Sequence, residues 1–345
     1  MGTLQWGVSG TISGLQNNQQ GNSIAAALAT ASQGGTAPTP SSTGLPATSG
    51  VLWHDTSANQ LRIRDQADST WMSIAAVDET NKQVVMQHGG CRFQFGSATS
   101  VVLKPYNGNG IKINGVYYAI SVNGVISANT STFVSGVSNS NLAASTAYLV
   151  YLFNNGGAPA LDFWPLSGGH VTDSSAGNIG VEVRSNSGSP DSTRTLVGAV
   201  LTNASGQFQF SSTFVGVASW FNRRLVTASS VTFNSSASSA SPAVLANSGA
   251  NIFAWADAPV INASFIGHVF SSSTGFGTDT YLGQGSIAQT PGMAISITTA
   301  GATYNASIAG PIILGGDGFL QVNTFAQVGS LSATWAGTTY AAALI

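Results

Sequence analysis

Apolar and polar residues alternate with a period of two through much of this chain, in short runs broken by Asn, Gly, Ser and Thr. In LRIRD the alternation puts Leu61 and Ile63 on one strand face and Arg62 and Arg64 on the other. VLWHDT, a turn at ANQ, LRIRD, another turn and TWMSI together read as a compact β unit. Between 101 and 210 come GIKING, VYYAISV, TAYLVYLFNN, ALDFWPL, IGVEVRS and RTLVGAVLT, whose near-even spacing predicts a sandwich or barrel-like β domain. Within TAYLVYLFNN, Tyr148, Val150 and Leu152 share one face while Leu149, Tyr151 and Phe153 share the other. A strand apolar on both faces must be covered on both. SWFNRR at 219–224 leads into a second β stretch that includes NIFAWAD, APVINASFIGHVF, MAISITT, GPIILGG and LSATWAG. Gly and Asn between these runs supply the positive φ of tight turns. No helical pattern follows residue 32, and no repeat of roughly 20 to 50 residues aligns.

Residues 7–50 are polar and small, with Gly34 and Gly35 followed by Pro38, Pro40 and Pro46, the pattern of an extended arm. Ser23 is placed to cap a helix from Ile24 to Ala29, about two turns long and too short to stand alone in water, so it needs a docking surface. The expected architecture is all-β: an arm over 1–50, a small β element over 51–86, a central antiparallel β domain over 87–218 and a C-terminal β-sandwich over 219–345.

Composition adds a constraint on assembly. Charged residues make up 6% of the chain against roughly 25% in an ordinary globular protein. Hydrophobic residues reach 43% and the formal charge is −2, so the chain folds instead of remaining disordered. A surface this poor in charge associates at neutral pH, which predicts that copies of the chain cover one another, as a homotrimer or another closed ring. The scattered basic residues form no stripe that would neutralise a row of phosphates, so nucleic acid is not an expected partner. The single cysteine, Cys91, allows no intrachain disulfide and reads as a small buried hydrophobe. Met1 to Leu15 lacks the pattern of a secretory signal, and no apolar run reaches the roughly 20 residues of a membrane span, so membrane insertion is not expected.

Two stretches carry a resemblance. From Lys104 the chain reads KPYNGNGIKING, then TAYLVYLFNNGGAPALDFWPLSGGHVTD, then VEVRSNSGSPDSTRTLVGAVLTN, then SWFNRR. This resembles a region of bacteriophage tail-fibre-like and other virion structural proteins, in which a YNGN start, an aromatic strand, an H-x-T-D turn and a TRTLVG strand recur in this order. Upstream, GVLWHDTSANQLRIRDQADSTWMSI is similar to a short element of phage tail and fibre proteins, in which a Trp-x-Asp-Thr turn precedes the strands. The resemblance covers roughly residues 50 to 224. It implies a trimeric particle protein, located in the virion after assembly in the host cytoplasm, whose arm attaches to other virion proteins of the tail or head. A tail fibre that meets host cell-surface glycan through its distal β domain is the leading expectation, and a capsid decoration or head-fibre protein is the alternative. No reaction and no set of functional residues comes with the resemblance.

The chemistry expected from the residues is correspondingly thin. His54, His88, His170 and His268 lie far apart, with His54–Asp55 and His170–Asp173 the nearest candidate metal pairs. Neither a Gly-x-Ser-x-Gly elbow nor a phosphate-cradling Gly-Lys-Ser/Thr loop is present. A polysaccharide depolymerase would need two carboxylates facing a glycan groove, with Asp78, Glu79, Asp257, Asp279 and Asp317 the unpaired acids. The expectation is no catalysis, no cofactor and no metal. Arg194 has Asp191, Asp173 or Glu182 as expected ion-pair partners. Trp220, Phe221, Trp255 and Trp335 are candidates for stacking on sugar rings, the competing expectation being that they fill the β core.

Overall fold

A computed structural model of the chain describes residues 33–34, 52–64, 70–78, 83–85, 88–258, 260–290, 292–313 and 316–345. The helix expected after Ser23, most of the arm, and Asp65, Asp68 and Glu79 lie outside the described residues. Strands dominate what is described, and it contains no α-helix. Two compact units divide the chain, Met1–Met86 and Gln87–Ile345.

The first unit is a five-stranded sheet in chain order: Gln33–Gly34, Leu52–Asp55, Gln60–Arg64, Trp71–Asp78 and Gln83–Val85. Its first hairpin is set by Asp55, whose Oδ1 accepts from the amides of Ser57 and Ala58 at 3.1 and 3.2 Å, a turn built by an acid on its own backbone. Arg62 pairs with the other oxygen of buried Asp55 at 3.1 Å and lies 5.5 Å over the Trp53 ring. The arm is not wholly without structure, since Gln33 and Gly34 pair in parallel with His54 and Asp55.

The second unit is organised by an eight-stranded sheet. Its order is Val137–Ser140, Thr132–Val134, Ala158–Pro165, Ala147–Asn155, Ser189–Leu201, Glu182–Asn186 and His170–Thr172, with Val217–Ser219 also paired to Ser189–Leu201. Ala147–Asn155 lies at its centre and is covered twice, as the alternation predicted. Tyr148, Val150 and Leu152 enter one core with Phe93, Leu103, Ile111 and Phe163. Leu149 and Tyr151 enter another with Phe253, Trp255, Phe265 and Trp335. The first core is roofed by the strands Cys91–Ser97 and Ser100–Pro105 and by the hairpin Gly110–Ile113 with Val116–Ala119. Cys91, 0% exposed, belongs to that roof.

After residue 224 the chain forms two facing sheets. One contains Leu225–Ser229 and Phe233–Ala237, then Ala333–Leu344, Val260–Phe270 and Thr303–Ile313. The other contains Ala243–Val244 and Ala250–Ala254, then Gly318–Val328, Phe276–Gln284, and Ile287–Ala288 with Met293–Ile297. Counting short neighbours as one strand, the orders are first-eighth-third-sixth and second-seventh-fourth-fifth, which is the double Greek key of a jelly roll. The expected sandwich is present. Phe276–Gln284 and Gly318–Val328, inner strands of one sheet, are absent from the strands picked out by alternation.

Close approach of two glycines sets the middle of this sandwich. Gly267 and Gly337 are register partners, and the Phe265 ring lies against both. A Cβ on Gly337 would come within 2.4 Å of the Ile266 carbonyl oxygen and 2.6 Å of the ring. Gly337→Val is therefore expected to lower stability by about 1–3 kcal/mol through overpacking. The measurement is the midpoint of thermal unfolding by circular dichroism, and an unchanged midpoint would show that the strands can shift to accept the side chain.

Candidate functional site

The four aromatic candidates separate. Trp335 and Trp255 are both 0% exposed. The Trp335 indole donates to Thr280 Oγ1 at 2.9 Å and that of Trp255 to the Ser219 carbonyl at 3.1 Å. Neither ring keeps a face for a sugar, and the core-filling expectation describes both. Phe221 is half-buried, edge-on to His88 at 4.9 Å and pressed against Gly89. Trp220 is partly buried and meets the edge of Trp255 at 4.9 Å. Arg223 covers this pair, its guanidinium 4.3 Å from the Trp220 centroid and 5.3 Å from that of Trp255.

Next to these rings is a charged group that alternation along the chain did not reveal. His170 Nδ1 is 2.6 Å from Glu182 Oε2 and its Nε2 is 2.7 Å from Asp317 Oδ2. Glu182 comes from the neighbouring strand, where Thr172 is its register partner, while Asp317 stands at the start of the jelly roll's seventh strand. The Asp317 Oδ1 also accepts from the Ala256 amide at 2.6 Å, and Arg223 pairs with Asp257 at 2.5 Å. His170 thus joins the eight-stranded sheet to the jelly roll, with the Trp220 ring 5.1 Å away. Burial works against its charge, but the hydrogen bonds and charges of Asp317 and Glu182 outweigh it and hold the imidazole up to about 9. Burial opposes the charge of the two carboxylates as well, and their bonds to His170 keep both below their ordinary range.

Chemically this group is a lock. With both ring nitrogens donating, the imidazolium has no lone pair to act as a base or to bind a metal. Both carboxylates are held ionised, the opposite of what a general acid needs. His170 is partnered by Glu182 and Asp317 and not by Asp173, the acid near it in sequence, whose carboxylate binds the Ser175 amide and the Asn178 side chain. Of the acids weighed for glycan cleavage, Asp257 and Asp317 are both engaged here, and Asp279 lies on the fourth jelly-roll strand.

Arg194 also differs from expectation. Its Nε is 2.7 Å from Asp162 Oδ2, a carboxylate 0% exposed that also accepts from the Trp164 indole at 2.9 Å and the Gly136 amide at 3.0 Å. Asp191 is taken by Arg184. Arg194 and Asp162 stand on the two strands that flank Ala147–Asn155, a long-range arrangement that local spacing does not reveal.

A different feature is the outer face of the five-stranded jelly-roll sheet. None of its strands contains Asp, Glu, Lys or Arg. Alternation turns Ile261, Ala263, Phe265 and Val269 inward and leaves Val260, Ile266 and Phe270 outside. Together with Leu225, Ile313 and Leu344 these side chains are between 40% and 69% exposed. Among the described residues Thr303–Ile313 ends the sheet and pairs on one side alone, with Val260–Phe270. Hence a face without Asp, Glu, Lys or Arg, on which these apolar side chains stand among exposed Asn262, His268, Asn305 and Ser307, lies next to a strand edge that no described strand pairs.

No family model matches the chain, and no curated protein matches it. Among solved structures it is similar to the infectious bursal disease virus VP2 subviral particle, at 13% identity and a TM-score of 0.26 over 74% of this chain and 70% of that one. It is also similar to BuGH86 in complex with neoagarooctaose, at 10% identity and a TM-score of 0.21 over 80% and 36%. Dimeric latent PorU from Porphyromonas gingivalis follows at 11% identity and a TM-score of 0.22 over 58% and 19%. At these scores the likeness carries no argument about role.

The two half-buried histidines His88 and His170 make stability depend on pH in opposite directions. His170, raised from 6.5 to about 9, contributes fully below pH 6.5 and loses its contribution as pH rises through 9. His88 is lowered to about 4 by burial and then by Lys112, so its contribution is present above pH 6.5 and lost as pH falls through 4. The unfolding midpoint should peak near pH 6.5, with at most about 3 kcal/mol at stake on the alkaline side. His170→Gln should reduce the peak and remove the decline between pH 6.5 and 9. A retained alkaline slope in that variant would assign the slope to other groups.

Proposed function

We propose that the chain is a structural subunit of a bacteriophage particle, a tail fibre or fibre-like protein that assembles as a homotrimer and works by binding, not by catalysis. The observation that carries this reading is the outer face of the five-stranded sheet, which holds exposed apolar side chains and no Asp, Glu, Lys or Arg, beside the edge of Thr303–Ile313 that no described strand pairs. Exposed apolar area of this kind stabilises when buried, at roughly 25 cal/mol per Å², and an open strand edge invites pairing with another chain. A second copy of the chain is the natural cover for both. The resemblance of residues 50 to 224 to tail-fibre-like virion proteins supplies the particle context. Jelly rolls occur in viral capsid and lectin domains, so the architecture suits either a particle wall or a carbohydrate contact, an analogy of fold alone. On this reading the N-terminal arm docks on other virion proteins, the distal β domain meets host-surface glycan, and affinity comes from several weak contacts made together.

Light scattering on the purified chain should give a trimer or larger, and a clean 35.0 kDa monomer would overturn the assembly argument. Placing charges on the apolar face by Ile266→Lys and Ile313→Lys should release monomers whose far-ultraviolet circular dichroism is unchanged. Labelling the subunit in intact particles and locating it by electron microscopy separates a tail fibre from a capsid decoration protein. Incubation with host polysaccharide should release no new reducing ends.

A further inference from the structure

Arginines are scarce in this chain, and most of the described ones face a carboxylate: Arg62 pairs with Asp55, Arg184 with Asp191, Arg194 with Asp162 and Arg223 with Asp257. Among the described residues with placed side chains, Arg92 and Arg224 have no carboxylate within ion-pair distance, and both line the same cavity. The cavity has a volume of about 200 Å³. Its wall also contains Gln94, Phe95, Phe210 and Ile345.

The Arg92 guanidinium is held from behind. The Arg92 Nε donates to the Asn222 carbonyl at 2.8 Å, and its guanidinium carbon is 3.6 Å from the Tyr106 ring centroid. Asn222 is itself fixed, since its side-chain amide donates to the carbonyls of Gly89 and Cys91 at 2.8 and 2.7 Å. These contacts use Nε and one face of Arg92 and leave its terminal nitrogens for another acceptor. Arg224 is anchored by its main chain, donating to Ile345 at 2.7 Å and accepting from it at 3.0 Å. Its side chain is exposed, with the guanidinium 5.8 Å from the Phe210 centroid. Phe95 and Phe210, with ring centroids 6.3 Å apart and 28° between their planes, give the cavity an apolar wall.

We propose that this cavity is a binding site for a carboxylate-bearing saccharide, with Arg92 and Arg224 taking the carboxylate and the Phe95–Phe210 wall packing against the sugar ring. A planar guanidinium matches a carboxylate in two parallel hydrogen bonds. An aromatic face provides the apolar half of a sugar contact, and Gln94 offers both a donor and an acceptor for ring hydroxyls. The volume suits one acidic sugar residue at a chain end or branch. The inference deepens the glycan contact under the proposed function, and it gives that contact to a place other than the tryptophans the sequence singled out.

The test is isothermal titration of the intact chain with oligogalacturonate, with a neutral galacto-oligosaccharide of equal length, and with inorganic phosphate. The acidic oligosaccharide should bind, more weakly at high salt, and the neutral one should bind at least tenfold more weakly. Arg224→Gln, a change at an exposed side chain, should reduce the acidic binding at least tenfold without moving the unfolding midpoint, and Arg92→Lys should reduce it through loss of the planar fork. Equal binding of the two oligosaccharides, binding of phosphate alone, no binding at all, or full binding by Arg224→Gln would each overturn the site. The subunit role fails separately, through a monomeric result in light scattering.

Discussion

A strand that is apolar on both faces cannot lie at a surface, and the placement of Ala147–Asn155 sets the conditions for the rest of residues 87–345. Tyr148, Val150 and Leu152 demand one cover, and Leu149 and Tyr151 demand another. Each such side chain contributes roughly 1.5–3 kcal/mol when removed from water. The jelly roll is one of those covers: Leu196, Ala199 and Ala218 from neighbouring strands enter the same core as Phe253 and Trp255. Separating the two β layers would expose that whole interface. This is why the chain after residue 87 forms one compact unit although its sheets are distinct.

Charge is used sparingly, and its positions follow from that packing. Tyr151 donates to the Gly169 carbonyl at 2.8 Å, directly before His170, so the strand that organises the cores also positions the imidazolium. The His170 group sits where the eight-stranded sheet meets the jelly roll, and Asp162 with Arg194 ties together the two strands that flank Ala147–Asn155. A buried ion pair is weak support for stability in general, because desolvation offsets much of the attraction. Its value here is orientation: two carboxylates from different layers must both reach one ring. The five-stranded face has no such groups and is left to apolar contact.

How legible the fold was depends on what fills the interior positions of each strand. In TAYLVYLFNN both faces are apolar, and the pattern alone placed the strand at the centre. Phe276–Gln284 turns Thr278 and Thr280 inward, both nearly unexposed, and Gly318–Val328 buries Asn323 and Thr324. Two of these polar groups are satisfied across the core, Thr280 by the Trp335 indole and Thr324 by the Thr339 hydroxyl at 2.7 Å, while Thr278 Oγ1 has no partner among the described residues. Such a strand reads as a loop, because alternation counts hydroxyls as outward. The His170 group was illegible for another reason: Asp317 is 147 residues away, and no local spacing encodes that contact. Glu182 was within reach, since pairing HVT against VEVR puts it diagonally opposite His170. Trp255 and Trp335 show the limit of residue type as a guide, because an indole suits a core and a sugar equally well.

Cys91 carries a last consequence. Its thiol is sealed among the first core's side chains, and desolvation pushes its pKa up to about 12. A thiol in that state is neither a nucleophile nor open to oxidation. Copies of this chain cannot be stapled together through sulfur while folded. Whatever toughness an assembly of them has against heat or detergent owes nothing to disulfides through Cys91, and reducing agents should leave it untouched.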